Sequence, residues 1–218
     1  MFGLVSCTSN SSYVLTPDPT PYYDTSPSEY YLYLPSIYTP EKDWPVLVGV
    51  HSYSGDGKQC LDWWKDYAES AGFILLCPSF GTGSGDWEFI QIETNLLVIL
   101  RRVRNEVRTQ KKVFLAGFSA GGEFAQLFSY AHPNLVRAVS LLSSGNYHDP
   151  YKDFSAIPFL VLIGDQDNPL ARTNARLFVE GLQQKGYRVE YEVLPGVGHE
   201  LTPQALQRTI LFFQTLME

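Results

Sequence analysis

Ser119 stands in Gly117-Phe118-Ser119-Ala120-Gly121-Gly122, with a glycine two residues to either side. A serine hydroxyl is a weak nucleophile at neutral pH. It needs a base within hydrogen-bond reach, and the base needs a third group to orient it. The chain offers four histidines as bases. His51 ends an early apolar run, His132 precedes Pro133, and His148 sits in the polar stretch Asn146-Tyr147-His148-Asp149. His199 follows Pro195-Gly196-Val197-Gly198, late in the chain, where a loop could reach back over Ser119. For the orienting acid, Ile163-Gly164-Asp165-Gln166-Asp167-Asn168 holds two candidates, Asp165 and Asp167, and Asp167 is favoured. The order serine, aspartate, histidine suits acyl transfer through a covalent serine intermediate.

Such residues, far apart in sequence, act together only if the fold gathers them. Continuous apolar runs at 45–51, 73–77, 112–118, 138–142 and 158–163 read as strands covered on both faces. Residues 29–35 and 188–194 read as flanking strands, and 12–16 as a short one. Helical patterns fall at 59–71, 88–108, 120–131, 172–185 and 203–216, the last with a proline at its start. Strand and helix therefore alternate. That order predicts an α/β fold with a mostly parallel central sheet and helices on both faces. No internal repeat, second domain or cap domain is expected, and 1–28 reads as a partly irregular segment ahead of a catalytic domain at 29–218.

In such sheets sites gather at the carboxyl ends of strands. Ser119 falls at one, where a strand turns sharply into a helix. Glycines at 117 and 121 remove side chains that would collide at the bend, and the helix aims its free N–H groups at the same spot. This is the G-x-S-x-G nucleophile elbow. The alternative, a tight turn with an idle serine, loses weight because a buried strand precedes it and a helix follows.

Over nearly its whole length the chain resembles the α/β-hydrolases. It is most similar to the small, lidless carboxylesterases: the phospholipase/carboxylesterase group, the feruloyl esterases and the polyhydroxyalkanoate depolymerase-like proteins. Gly117-Phe118-Ser119-Ala120-Gly121-Gly122 resembles their G-[FL]-S-x-G-G elbow, and Val50-His51-Ser52-Tyr53-Ser54-Gly55 their H-G-x-x-x-G segment. Gly164-Asp165-Gln166-Asp167 resembles their G-x-x-D, which puts the acid on Asp167, and Gly198-His199 matches their G-H. The resemblance implies a triad of Ser119, Asp167 and His199. It also implies an oxyanion hole from the backbone N–H groups of Tyr53 and Ala120, and a structural role for His51. Ser52 departs from the pattern, since it replaces a glycine in the loop that carries the Tyr53 donor. The implied activity is a serine esterase with a small-molecule ester substrate and no metal or organic cofactor. Thioesterase, peptidase or acyltransferase chemistry, or a non-catalytic binder on the same fold, are the alternatives.

Tyr53, Phe80, Trp87, Phe118 and Tyr147 cluster about the expected site and suit an apolar acyl or aryl group. The segment after 142 is short and polar before the next strand, so an open cleft and short-chain esters are expected. Hydrophobic residues are 44% and charged residues 18%, a globular composition. A net charge of −7 argues against nucleic acid, whose binding draws on Lys and Arg. No apolar stretch reaches the roughly 18 residues of a transmembrane helix. Cys60 and Cys77 read better as two buried thiols than as a disulfide. Leu4-Val5-Ser6-Cys7 resembles the lipobox of bacterial lipoproteins, but only six residues precede Cys7. It is an anchor only if more chain lies before it; otherwise the match is chance, and the compartment stays unassigned.

Overall fold

The computed structural model describes residues 14–15, 30–80, 89–150 and 157–217. Cys7, Trp87, most of 1–28 and residues 151–156 of the polar segment lie outside the described residues, and with them the expectations placed there. The described strands are β1 (Val14–Leu15), β2 (Tyr30–Tyr33), β3 (Val46–Val50), β4 (Ile74–Pro78), β5 (Val113–Phe118), β6 (Val136–Leu142), β7 (Phe159–Gly164) and β8 (Val189–Leu194). The described helices are α1 (Gly57–Ala71), α2 (Phe89–Glu106), α3 (Ala120–Ala131), α4 (Pro169–Gln184) and α5 (Pro203–Gln214).

The strands form one sheet in the order β1-β2-β4-β3-β5-β6-β7-β8. The β1–β2 and β2–β4 pairs are antiparallel, and every pair from β4 to β8 is parallel. Alternation along each strand feeds two cores. Val46, Val48 and Val50 belong to one core with Leu96 of α2, Phe124 and Phe128 of α3 and Phe178 of α4. Leu47, Leu75 and Phe114 face α1 and α5, through Trp64, Leu206 and Phe213. Because β3 to β7 are covered on both sides, their residues are almost wholly buried, which explains their unbroken apolar runs.

The helix boundaries follow local chemistry. Asp56 caps α1 by accepting from the Gln59 N–H, and Gly72 ends it. Thr202 caps α5 ahead of Pro203, and Asn168 caps α4 ahead of Pro169. Helix α4 thus starts three residues before the expected 172, because Asn168-Pro169 is the true start signal. Among the described residues no helix is long and apolar enough to cross a membrane.

One expectation is corrected here. Cys60 and Cys77 are joined as a disulfide, tying α1 to β4 with a Cα–Cα separation of 5.8 Å. They are separated by 17 residues, so the bond closes a short loop. A loop of that size is worth about 3 kcal/mol through the unfolded chain's lost freedom. Burial of both cysteines is common to either reading; it is the packing of α1 directly over β4 that brings the sulfurs together.

Candidate active site

Strands β5, β7 and β8 run parallel in one sheet, and each passes at its carboxyl end into a turn or loop that carries one member of a single constellation. At the end of β5, Ser119 has φ 55° and ψ −118°, a backbone conformation that residues with a side chain rarely adopt. Such a conformation costs about 1–3 kcal/mol and persists only where the surroundings enforce it. Here the Ser119 N–H donates to the Leu142 carbonyl of β6 at 2.9 Å. A side chain at 117 would collide with the backbone of Gly121, and one at 121 with the carbonyl oxygens of Val50 and His51. The start of α3 therefore presses directly onto the end of β3.

The Ser119 hydroxyl lies 3.0 Å from His199 Nε2. His199 Nδ1 lies 3.1 and 3.2 Å from the two carboxylate oxygens of Asp167. A carboxylate only accepts, so Nδ1 carries the proton and Nε2 is left to accept from the serine. The Asp167 side chain has no exposed surface, while that of His199 is 47% exposed. Asp167 is fixed in turn by the Asn168 N–H, which donates to Oδ1 at 2.7 Å. The three groups thus form a continuous line from a buried carboxylate to a hydroxyl at the protein surface. Asp165 is the second candidate acid in the sequence. Its carboxylate instead accepts from the Gly196 N–H at 2.7 Å.

On the other side of Ser119 lies the loop after β3. His51 is wholly buried. Its Nε2 accepts from the Phe80 N–H at 2.9 Å, so Nδ1 holds the proton and donates to the Ser52 carbonyl at 2.6 Å. That carbonyl also accepts from the Gly55 N–H at 2.9 Å, closing a tight turn around Tyr53. Burial lowers the pKa of His51 and keeps it neutral. Just ahead of Ser52, the chain at 50–51 lies against Gly121.

The aromatic residues divide. Tyr53 is half exposed on its turn. Phe80 is buried, with its ring against His51 and Phe124, and so is not an exposed wall. Phe118 packs edge-on to Trp63 at 5.9 Å and lies 5.2 Å from the His199 ring, as a support for the histidine. Tyr147 lines a cavity of about 430 Å³ with His148, Asp149, Asn174, Leu177 and Phe178. Its hydroxyl is buried, and burial raises its pKa, with the Tyr191 and Asp167 charges adding to the effect. His148 is engaged with Glu123 at 2.7 Å, and His132 with Glu93 at 2.6 Å, so neither faces Ser119. The roles of Trp63 and of Asp165 were not legible in sequence, because both depend on contacts between distant segments.

A mostly parallel sheet, an elbow after its central strand and a histidine loop after its last strand define an α/β-hydrolase. Residues 35–207 match the model of the dienelactone hydrolase family, and the chain belongs to that family. It is one that the motifs alone did not single out among the small esterases. Relatives include the bifunctional acetylxylan esterase/xylanase XynS20E of Neocallimastix patriciarum. That protein is 26% identical over 166 residues, 74% of this chain and 24% of its own length. A probable feruloyl esterase C of Aspergillus oryzae is 28% identical over 137 residues, 56% of this chain and 50% of its own. The chain thus spans half or less of the length of these relatives. Among solved structures, S-formylglutathione hydrolase from Staphylococcus aureus has the same fold. It superposes with a TM-score of 0.75 at 19% identity, covering 94% of this chain and 98% of the other.

Proposed function

We propose that the chain is a serine carboxylesterase that hydrolyses short-chain or aryl carboxylic esters through an acyl-enzyme on Ser119. The observation that carries this reading is the unbroken hydrogen-bond line Ser119–His199–Asp167. The names of two relatives, an acetylxylan esterase and a probable feruloyl esterase, point the same way for a small and an aryl acyl group.

In this reading the substrate carbonyl oxygen sits at the N–H groups of Tyr53 and Ala120. The first N–H groups of a helix lack carbonyl partners within it, so Ala120 is suited to the task. Each such donor is worth about 3–4 kcal/mol on the charged intermediate. Ser119 attacks as its proton passes to His199 Nε2, and Asp167 stabilises the resulting imidazolium. The alcohol leaves with that proton. Water then attacks the acyl-enzyme by the same route, and Ser119 is regenerated.

A fluorophosphonate probe with peptide mapping tests the nucleophile; modification at any residue other than Ser119, or none, defeats the reading. A series of p-nitrophenyl esters tests the cleft. A shallow site buries only a few methylenes, each worth about 0.8 kcal/mol when fully buried. Catalytic efficiency is expected to peak at about two to six acyl carbons. Best activity on a sixteen-carbon ester would show a deep tunnel instead. Thioester and peptide substrates run beside the esters separate the other acyl-transfer chemistries.

A further inference from the structure

His199 is carried by a loop, 195–201, that joins β8 to α5. A loop is an imprecise mount for a base that must meet a hydroxyl at 3.0 Å. What holds this one is the turn after β7. The Gly164 backbone lies so close beneath it that a side chain at 164 would collide with the Val197 carbonyl. The Gln166 N–H donates to that same carbonyl at 2.9 Å, and the Asp165 N–H to the Leu194 carbonyl at 3.0 Å. These are backbone contacts that any residue except proline at 165 would keep.

One contact depends on a side chain. Asp165 Oδ1 accepts from the Gly196 N–H at 2.7 Å and from Gln166 Nε2 at 3.1 Å. The Asp165 carbonyl is itself held by Arg172 Nη1 of α4 at 2.6 Å. Gly196 has φ 72° and lies three residues before His199. Pro195 has no N–H, so Gly196 is the first residue after β8 at which the loop can be gripped through its own N–H.

We propose that Asp165 is a positioning residue for His199. By accepting from the Gly196 N–H it fixes the loop so that the imidazole bridges Asp167 and Ser119. The pair Asp165 and Asp167 then divides the work: one carboxylate orients the ring, and the other, two residues earlier, orients the backbone that carries it. Both donors to Asp165 Oδ1 are neutral. The role therefore needs an acceptor oxygen and not a charge, and an asparagine amide supplies one.

This proposal rests on the reading of His199 as the base, and the test separates the two. Asp165→Ala and Asp165→Asn are compared with the wild-type chain in ester hydrolysis and in hydrogen exchange at the Gly196 amide. Asp165→Ala is expected to lower kcat about tenfold to a hundredfold, as small misplacements of a catalytic group do. KM should stay within about twofold, since substrate contacts are untouched. The Gly196 amide should exchange at least about tenfold faster, a local opening that leaves the core protected. Asp165→Asn should match the wild type in all three measurements. Wild-type kcat and Gly196 exchange in the alanine variant would overturn the proposal. So would an asparagine variant as impaired as the alanine one. A wild-type protein without esterase activity would defeat the functional reading alone, because the Gly196 exchange still reports on the clamp.

Discussion

Two loops flank Ser119, and each carries a histidine. In the loop after β3, both ring nitrogens of His51 are engaged by backbone, the Phe80 N–H and the Ser52 carbonyl. In the loop after β8, both ring nitrogens of His199 face side chains that can share or stabilise a proton, Asp167 and Ser119. The first ring is wholly buried and the second half exposed. The same residue type thus serves as a strut on one side and bridges a hydroxyl and a carboxylate on the other. Partners decide which, because a ring locked into two backbone bonds cannot change protonation without breaking one of them.

The sharpest way to break this contrast is to remove the reactive side of it. Ser119→Ala and His199→Ala should each fold normally and lower turnover of a soluble ester by about four to six orders of magnitude, because the triad acts as a unit. Substantial activity left in either variant would mean that the line of hydrogen bonds is ornamental. Asp167→Asn comes next. The amide no longer fixes the His199 tautomer, and kcat should fall by about three to four orders of magnitude with little change in melting temperature.

The strut should fail differently. His51→Phe leaves the buried Phe80 N–H without its acceptor, which costs about 1–3 kcal/mol of stability. Turnover should fall far less than in the triad variants, through loosening of the turn around Tyr53. The pH dependence of unfolding sharpens the point. The folded-state pKa of His51 is lowered by burial, so the unfolded chain takes up a proton below about 6.5 that the folded chain refuses. The wild type should therefore lose stability as pH falls through that value toward the lowered pKa. His51→Phe should lack this contribution. Denaturant melts of the two proteins between neutral and mildly acid pH would show it, and parallel curves would sink it.

Much of this was readable in the chain, for local reasons. Helix α3 runs 120–131 as the pattern predicts, because the strand-to-helix elbow at its start and His132-Pro133 after it are short-range signals. The elbow, the acid turn and the histidine loop were readable as motifs because each is a few residues with fixed backbone demands. What escaped was set by contacts across the sheet. Nothing in the periodicity places β4 between β2 and β3. The Cys60–Cys77 bond requires α1 to lie over β4. The partners of two expected site aromatics were likewise set by packing, which puts Phe80 against His51 and Phe118 against His199. The hold of Asp165 on Gly196 spans 31 residues, and an aspartate in a turn carries no mark of a partner that far away.

Ser119 keeps its twisted backbone because β6 and the end of β3 allow it no other shape. That makes the elbow a place where durability and reactivity are opposed. Glycine would adopt the same angles without strain, and a chain bred only to survive heat would drift toward it. On the proposed mechanism a chain bred to turn over substrate cannot, because glycine has no hydroxyl. Directed evolution of this protein should therefore couple its two screens, since a library ranked on heat resistance alone would favour the loss of the one side chain that the proposed mechanism makes its nucleophile.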